Sequence, residues 1–466
     1  MSELFIGRHE ELARLEKVWN SDKFEFVVIY GRRRVGKSFL IDAFRENKKG
    51  IYFEAIDGGT EITQVNLFSR AVSYGLYGTE NLVYRDFISI FDDIAKMAEK
   101  ERIYLAIDEI SYLCESCSEM VGLLQHYVDV VFKKTKLVLI LSGSSRRFIE
   151  DNILGRESPL YGRRTEQIKL FPFKAYETAK MLSGWNVQDL AIAHIVTGGI
   201  PYYLSFIKRH ENAIEAINNE FFKPGSSLFT EAELFMSGIY RKPGTYESIL
   251  NEIAHGTCEV NKISSKTGIS EANVSIALSS LSSQDIVSRR EKIEGHGIGR
   301  GWEIIDGYFA FYYQFVYPYH SLIERGRGEA AFNNAIASLD LFISKRIEFS
   351  FREYVIFNSD LLISSLGSIN FPNPIKKRNE EIDLFGKSDK GWIVGECKWQ
   401  KNEVHRDVLN MLEMRKLLLV GEEHADFFLL SKSGFAEDIK QIAKERSDIH
   451  LITGRELFGI QVYLNG

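Results

Sequence analysis

Three stretches of the N-terminal third are continuous apolar runs: FEFVVIYG at 24–31, IYLAID at 103–108 and KLVLIL at 136–141. Runs of this length, closed by glycine or charge, predict strands buried on both faces, as in a parallel sheet. A helical pattern follows the first run in SFLIDAF, and strands alternating with helices predict an α/β fold. After the break RKPGTYES the period changes. Ile249, Ile253, Ile263, Val274, Ala277, Leu278 and Leu281 fit apolar faces of three short helices, with Gly256 and Gly268 closing the turns. The segment 286–305, IVSRREKIEGHGIGRGWEII, then predicts two strands around a glycine-rich tip. Three helices and a hairpin, in that order, make a winged helix-turn-helix.

The last third changes again. A helical pattern at 341–357 precedes EIDLFGKSDKGWIVGECKW at 381–399, two short apolar runs joined by a turn of Lys, Ser, Asp and Gly. Strand side chains alternate faces, so Glu381 and Asp383 share one side of the first strand, as do Glu396 and Lys398 on the second. Closing this hairpin brings Asp383 close to Glu396. A helix at 401–419 and a strand at 427–435 follow.

Composition narrows the class. The 466 residues, 45% hydrophobic and 26% charged, suit a soluble globular chain of about three domains. No apolar run approaches the ~20 residues of a membrane span, and MSELFIGRHEEL lacks a basic region followed by an apolar core, so the expected compartment is the cytoplasm. A net charge of −6 argues against coating nucleic acid through global electrostatics and leaves a local basic groove open. Four cysteines are too few for a disulfide framework. Cys114 and Cys117 form a C-x-x-C with no second pair at zinc-ligand spacing.

Gly31, Arg32, Arg33, Arg34, Val35, Gly36, Lys37 and Ser38 match G-x-x-x-x-G-K-[ST] between a strand and a helix. The glycines let backbone N–H groups close around phosphate oxygens at a helix N-terminus. Lys37 is then placed to reach the outer phosphates and Ser38 to ligate Mg²⁺. The strand ending in Asp108 and Glu109 supplies a carboxylate for the metal and a second to orient and polarise water. Ser142 and Ser144 end the third run, where a group sensing the γ-phosphate sits or an N-cap begins. Arg163 and Arg164 are candidates to supply positive charge to the transition state, in cis or from a neighbouring subunit of a homo-oligomer.

The set FIGRHEEL, GRRRVGKS, IYLAIDEI, LILSGSS, SPLYGRR and TGGIPYYL resembles the archaeal-type ATPase family, within the wider AAA-like and signal-transducing P-loop ATPases. The resemblance covers about the first half of the chain. It implies ATP as ligand, Gly7 and Arg8 beside the adenine, and Pro201 touching the nucleotide from a helical lid. Where that family continues as DEF, this chain has DEIS at Asp108–Ser111.

In the proposed winged helix the third helix offers Asn273, Ser275, Ser279 and Ser280 but no Arg or Lys, while Arg289, Arg290, Lys292 and Arg300 charge the wing. Phosphate contacts demand cations, so both DNA contact and a packing module that relays the ATPase state stay open. The aromatic segment DGYFAFYYQFVYPYH at 306–320 predicts an interdomain core, with base stacking as the alternative. The spacing D-x₁₂-E-x-K, from Asp383 through Glu396 to Lys398, resembles the PD-(D/E)XK nuclease superfamily. That resemblance implies an αβββαβ core and metal-dependent DNA cleavage, with Asp383 and Glu396 holding Mg²⁺ or Mn²⁺ and Lys398 catalytic. The superfamily's helix-borne Glu is displaced here by Phe351-Arg352, leaving Glu348 or Glu353. The expected domains are therefore an ATPase core at 1–170, a helical lid at 171–235, a winged helix at 236–325 and a nuclease-like domain at 326–466. Two functions fit: an ATP-dependent DNA-cutting enzyme, or a regulatory ATPase switch whose C-terminal domain binds DNA or protein without cleaving.

Overall fold

A computed structural model describes residues 6–460 apart from 80, 291, 298, 300 and 375. The chain divides into two compact units, Met1–Pro172 and Phe173–Gly466.

The first unit is built on strands β1 (Glu25–Gly31), β2 (Gly50–Glu54), β3 (Ile103–Asp108), β4 (Leu137–Gly143) and β5 (Glu166–Leu170). They form one sheet in the order β2-β3-β4-β1-β5, with every pair parallel. Every residue of β1, β3 and β4 is buried, which is why these three strands read as unbroken apolar runs. One core beneath the sheet gathers Phe53, Phe68, Phe91, Tyr127 and Phe132, with Phe53 and Phe68 stacked at 4.4 Å. β4 lies between β1 and β3. The strand that leads into the glycine-rich loop and the strand that ends in Asp108 are therefore two places apart, and their carboxyl ends open on the same edge.

The second unit starts with five helices between Ala175 and Ser237. Helices α1 (Pro243–Ala254), α2 (Val260–Thr267) and α3 (Glu271–Ser283) follow, then the antiparallel pair β6 (Val287–Arg289) and β7 (Trp302–Ile304). All seven apolar positions read from the sequence are buried, and Gly256 and Gly268 take φ of +90° and +71° at the helix ends. Of the expected wing cations, Arg289, Arg290 and Lys292 are exposed, and Arg300 lies outside the described residues.

The aromatic segment is a core within this unit. Tyr308 packs on Tyr203 at 4.7 Å, and Phe311 packs on Phe221 at 5.0 Å and on Phe342 at 5.7 Å. Tyr308 and Tyr313 are wholly buried, which corrects the base-stacking alternative for these rings. Gly307 permits this packing, because a Cβ there would sit 2.0 Å from the Ile195 carbonyl oxygen.

Helix α4 (Glu329–Asn358) leads into β8 (Ile363–Asn373), β9 (Arg378–Ser388) and β10 (Trp392–Lys398), then α5 (Arg406–Val420), β11 (Ala425–Ser431) and β12 (Ile449–Thr453). The sheet order is β12-β11-β10-β9-β8, antiparallel from β8 to β10 and parallel from β10 to β12. Its core includes Ile382, Phe385, Val394, Leu409, Leu412, Phe427 and Leu429.

Replacing Gly307 with Ala forces a Cβ against rigid backbone, and overpacking of this kind costs about 1–3 kcal/mol. Thermal unfolding should show a lowered midpoint for Gly307→Ala and no lowering for Gly122→Ala, a glycine outside the left-handed region with open space around its Cβ position; equal midpoints for Gly307→Ala and the parent would contradict the close approach.

Candidate functional site

The glycine-rich loop closes over its own lysine. Lys37 is 5% exposed, and its Nζ donates to the carbonyl oxygens of Gly31 at 3.1 Å and Arg32 at 3.2 Å. Burial lowers its pKa, opposed by Glu109 and Asp108. Gly31 is required by contact, since a Cβ there would stand 2.4 Å from the Leu170 carbonyl oxygen of β5. Gly36 is required by conformation, at φ +97° directly before the helix Lys37–Arg45. Arg34 also takes a positive φ, +71°. Arg32 and Val35 are buried, and Arg33 is half-buried, its charge acting on Lys37 and Tyr112.

Asp108, 1% exposed, gathers three donors. Ser38 Oγ donates to its Oδ2 at 2.7 Å, Tyr52 Oη to the same oxygen at 2.8 Å, and the Glu109 N–H to Oδ1 at 3.0 Å. Glu109 stands at φ +52°, and its Oε2 accepts the Ser144 N–H at 3.0 Å and the Ser144 hydroxyl at 2.8 Å. Of the two serines ending β4, Ser144 is thus the one that meets the carboxylate pair. Ser142 is fully buried, its hydroxyl without a hydrogen-bond partner among the described residues. Glu54 lies in register with Asp108 on the neighbouring strand, and burial, then Asp108 and Glu109, raise its pKa.

These residues fit ATP and Mg²⁺. An anion cradle with a buried lysine stands beside a hydroxyl and a carboxylate oxygen 2.7 Å apart, the oxygen donors that Mg²⁺ takes. Tyr52 and Glu54 escaped sequence reasoning. Their signal is a polar residue on every second position of IYFE, which means something only once β2 is known to lie against β3.

Other candidates are placed differently. Arg8, at φ +59°, donates from its guanidinium to the Val35 carbonyl oxygen at 3.3 Å and to that of Phe171, clamping the loop to the end of β5; Gly7 beside it has φ +71°. Arg163 forms a two-pronged ion pair with Asp129, at 2.6 and 2.8 Å, while Arg164 is exposed. Pro201 belongs to the second unit, as the first residue of the helix Pro201–Ile207. Cys114 and Cys117 are free thiols packed on the core, and burial pushes the Cys114 pKa up to about 12.

In the second unit the register Leu384↔Gly395 sets Asp383 beside Glu396, and Asp383 Oδ2 accepts the Cys397 N–H at 2.8 Å. Burial, then Glu396, pushes the Asp383 carboxyl up to about 7. Glu348 of α4 faces this pair: burial, then Asp383, raises its pKa to about 9 against the pull of Arg352. Glu353 faces Lys174 and Glu177 instead. Of the two helix carboxylates, Glu348 is the one that meets Asp383. Sequence reasoning named Lys398 at this site and missed Arg415. Lys398 Nζ lies 2.5 Å from Glu396 Oε1, Arg415 Nη1 lies 2.9 Å from Glu396 Oε2, and Arg415 Nε lies 3.2 Å from Glu380 Oε2. Among the described residues no group of three or more His, Cys, Asp or Glu is placed to hold a metal ion. As folded, these residues do not fit the expected Mg²⁺ or Mn²⁺.

A parallel five-stranded sheet with a lysine-bearing phosphate loop and an Asp-Glu pair two strands away defines a P-loop ATPase core. Residues 5–207 match the family described as an ATPase domain predominantly from Archaea, and residues 312–410 match one described as archaeal and bacterial proteins of unknown function. An uncharacterized protein of Methanocaldococcus jannaschii is 30% identical over 435 residues, 90% of this chain and 93% of that protein. The chain belongs to this family of archaeal-type P-loop ATPases. An uncharacterized ATP-binding protein of the same organism is 54% identical over 46 residues, 10% of this chain and 78% of its own length. A Walker-type ATPase of Pyrococcus abyssi shares the fold, with a TM-score of 0.53 at 20% identity over 66% of this chain and 96% of its own. Among the described residues no helix is long and apolar enough to cross a membrane.

Tyr52 donates to the same Asp108 oxygen that accepts the Ser38 hydroxyl. Removing such an outer partner of a metal ligand typically costs 10–100-fold in metal affinity. Tyr52→Phe should raise the Mg²⁺ concentration for half-maximal ATP hydrolysis about tenfold, with metal-free ATP binding unchanged; an unshifted Mg²⁺ profile would remove Tyr52 from the site.

Proposed function

We propose that the protein is an ATP-hydrolysing switch whose nucleotide state governs a DNA-binding second unit. The observation that carries the hydrolysis is the pairing of Glu109 with Ser144 beside Asp108 and Ser38. Glu109 is placed to orient and polarise water, and Ser144 holds its carboxylate in reserve. Ser38 and Asp108 would hold Mg²⁺, which supplies charge stabilisation to the transferring phosphoryl group. Lys37 would exchange its two carbonyl partners for phosphate oxygens. Gly7 and Arg8 border the loop on the side proposed for the base, and Pro201 is proposed to contact the nucleotide from a lid over 171–235. Arg163 is committed to Asp129, so Arg164 is the better candidate to serve a neighbouring subunit in a homo-oligomer.

The DNA reading rests on the second unit. Helices α1–α3 followed by the β6–β7 pair have the element order of a winged helix, and the wing presents Arg289, Arg290 and Lys292 to solvent. The order α4, β8, β9, β10, α5, β11 supports a PD-(D/E)XK-like fold for the C-terminal domain. A second reading, metal-dependent DNA cleavage, is favoured by Asp383 lying beside Glu396 with Lys398 on the same strand. It is weakened by the salt bridges that fill Glu396.

Fluorescence anisotropy on duplex DNA with ATP and with ADP tests the switch. Affinity should depend on the nucleotide in the parent and lose that dependence in Lys37→Ala. The double change Arg289→Ala, Arg290→Ala should lower the slope of log K against log salt by about two, roughly one for each phosphate contact. No salt-dependent binding in any nucleotide state would overturn the DNA reading.

A further inference from the structure

We infer that Arg415, with Lys398, takes the Glu396 oxygens that a divalent cation held with Asp383 would need, so that this site as folded is a closed ion-pair cluster that takes no metal. The inference rests on the nuclease-like reading of Asp383, Glu396 and Lys398.

Glu380 and Glu396 project from the adjacent strands β9 and β10, and each is only 5% exposed. Two buried carboxylates on neighbouring strands repel unless a cation stands between them. Arg415 of α5 is that cation. Its Nη1 donates to Glu396 at 2.9 Å and its Nε to Glu380 at 3.2 Å, so one planar guanidinium bridges the two strands. The outer oxygens are also taken, Glu396 Oε1 by Lys398 at 2.5 Å and Glu380 Oε1 by Lys376 at 2.7 Å. All four carboxylate oxygens of the two residues therefore face a cationic group, and Arg378 adds a further positive charge 3.8 Å from Glu380 Oε1.

A divalent cation needs open carboxylate oxygens and meets like-charge repulsion from Lys398 and Arg415. A lysine can leave such a site by losing its proton. Arginine stays charged at any working pH, so Arg415 leaves only if α5 or its side chain moves. The arrangement keeps the strand scaffold and lysine of a nuclease centre and closes it with an internal counter-ion. It also answers why an apolar strand carries Glu396 and Lys398 on one face: they pair with each other. Asp383 remains beside them as the one carboxylate of the motif outside the Arg415 bridge.

The test is Mn²⁺ binding by the full chain without nucleotide, read by electron paramagnetic resonance of the free ion, in an Asp108→Asn background that disables the nucleotide-site metal. The background protein should show no saturable binding. Adding Arg415→Leu should create one Mn²⁺ site, adding Asp383→Asn to that protein should abolish it, and Arg415→Lys, which keeps the charge, should leave the site closed. If the background protein already binds Mn²⁺ at a site that Asp383→Asn removes, the inference is wrong and the cleavage reading is strengthened. If Arg415→Leu folds and gains no Mn²⁺, the inference is wrong, while the cleavage reading is decided separately by Mn²⁺-dependent cutting of DNA by the parent and its loss in Lys398→Ala. Should Arg415→Leu fail to fold, the background protein with and without Asp383→Asn still decides.

Discussion

The contact between Ser38 and Asp108 is the interaction on which the first unit depends. It spans the interposed strand β4 and exists only because β1, β3 and β4 run parallel and end on one edge. From it follow the closed phosphate loop, the anchoring of Glu109 through its backbone N–H, and the reach of Ser144 from the middle strand to the Glu109 carboxylate. A parallel sheet buried on both faces makes such a site rigid, because each functional residue sits at the end of a strand whose other residues are fixed in the core. The φ of +52° at Glu109 turns its side chain back toward β4, away from the continuing chain. Glu109 is thus held by the Ser144 backbone and hydroxyl at the end of β4.

The second unit meets the same electrostatic demand in a different way. In the ATPase core, Asp108 is satisfied by two hydroxyls and a backbone N–H, all neutral donors. Around Glu396 and Glu380 the partners are charged, with Arg415 partly buried beside both carboxylates and Lys398 and Lys376 reaching toward solvent. Breaking such a buried pair by removing one partner costs about 3–5 kcal/mol, because the other charge is left uncompensated. The two clusters therefore differ in the groups that satisfy them, neutral donors at Asp108 and cations at Glu396 and Glu380.

Much of this was legible in the sequence, and the rest was hidden for identifiable reasons. GRRRVGKS announces itself because the loop's function depends on local spacing. The runs that became β1, β3 and β4 were readable because burial on both faces leaves no polar position. β8 went unread since its pairing with β9 breaks register twice, near Ser365 and Ile369, and the strand carries mostly half-buried positions without clean alternation. Glu348 and Glu353 could not be told apart by type. Five residues turn a helix by about 140° beyond a full turn, so only one of them faces the strands, and which one depends on how α4 docks. Arg415 lies nineteen positions beyond Glu396 on another element, and Tyr52 on a strand whose neighbour the sequence does not name. Ser144 was placed correctly at a strand end, where it was expected to sense phosphate; its partner in this state is Glu109.

Glu109 is proposed to turn ATP binding into ATP hydrolysis. Steady-state phosphate release by Glu109→Gln, measured beside its ATP affinity, addresses that claim most directly. The variant is predicted to bind ATP as tightly as the parent and to lose turnover by at least about 100-fold, the lower range of general-base contributions. Hydrolysis by Glu109→Gln at the parent rate would contradict it.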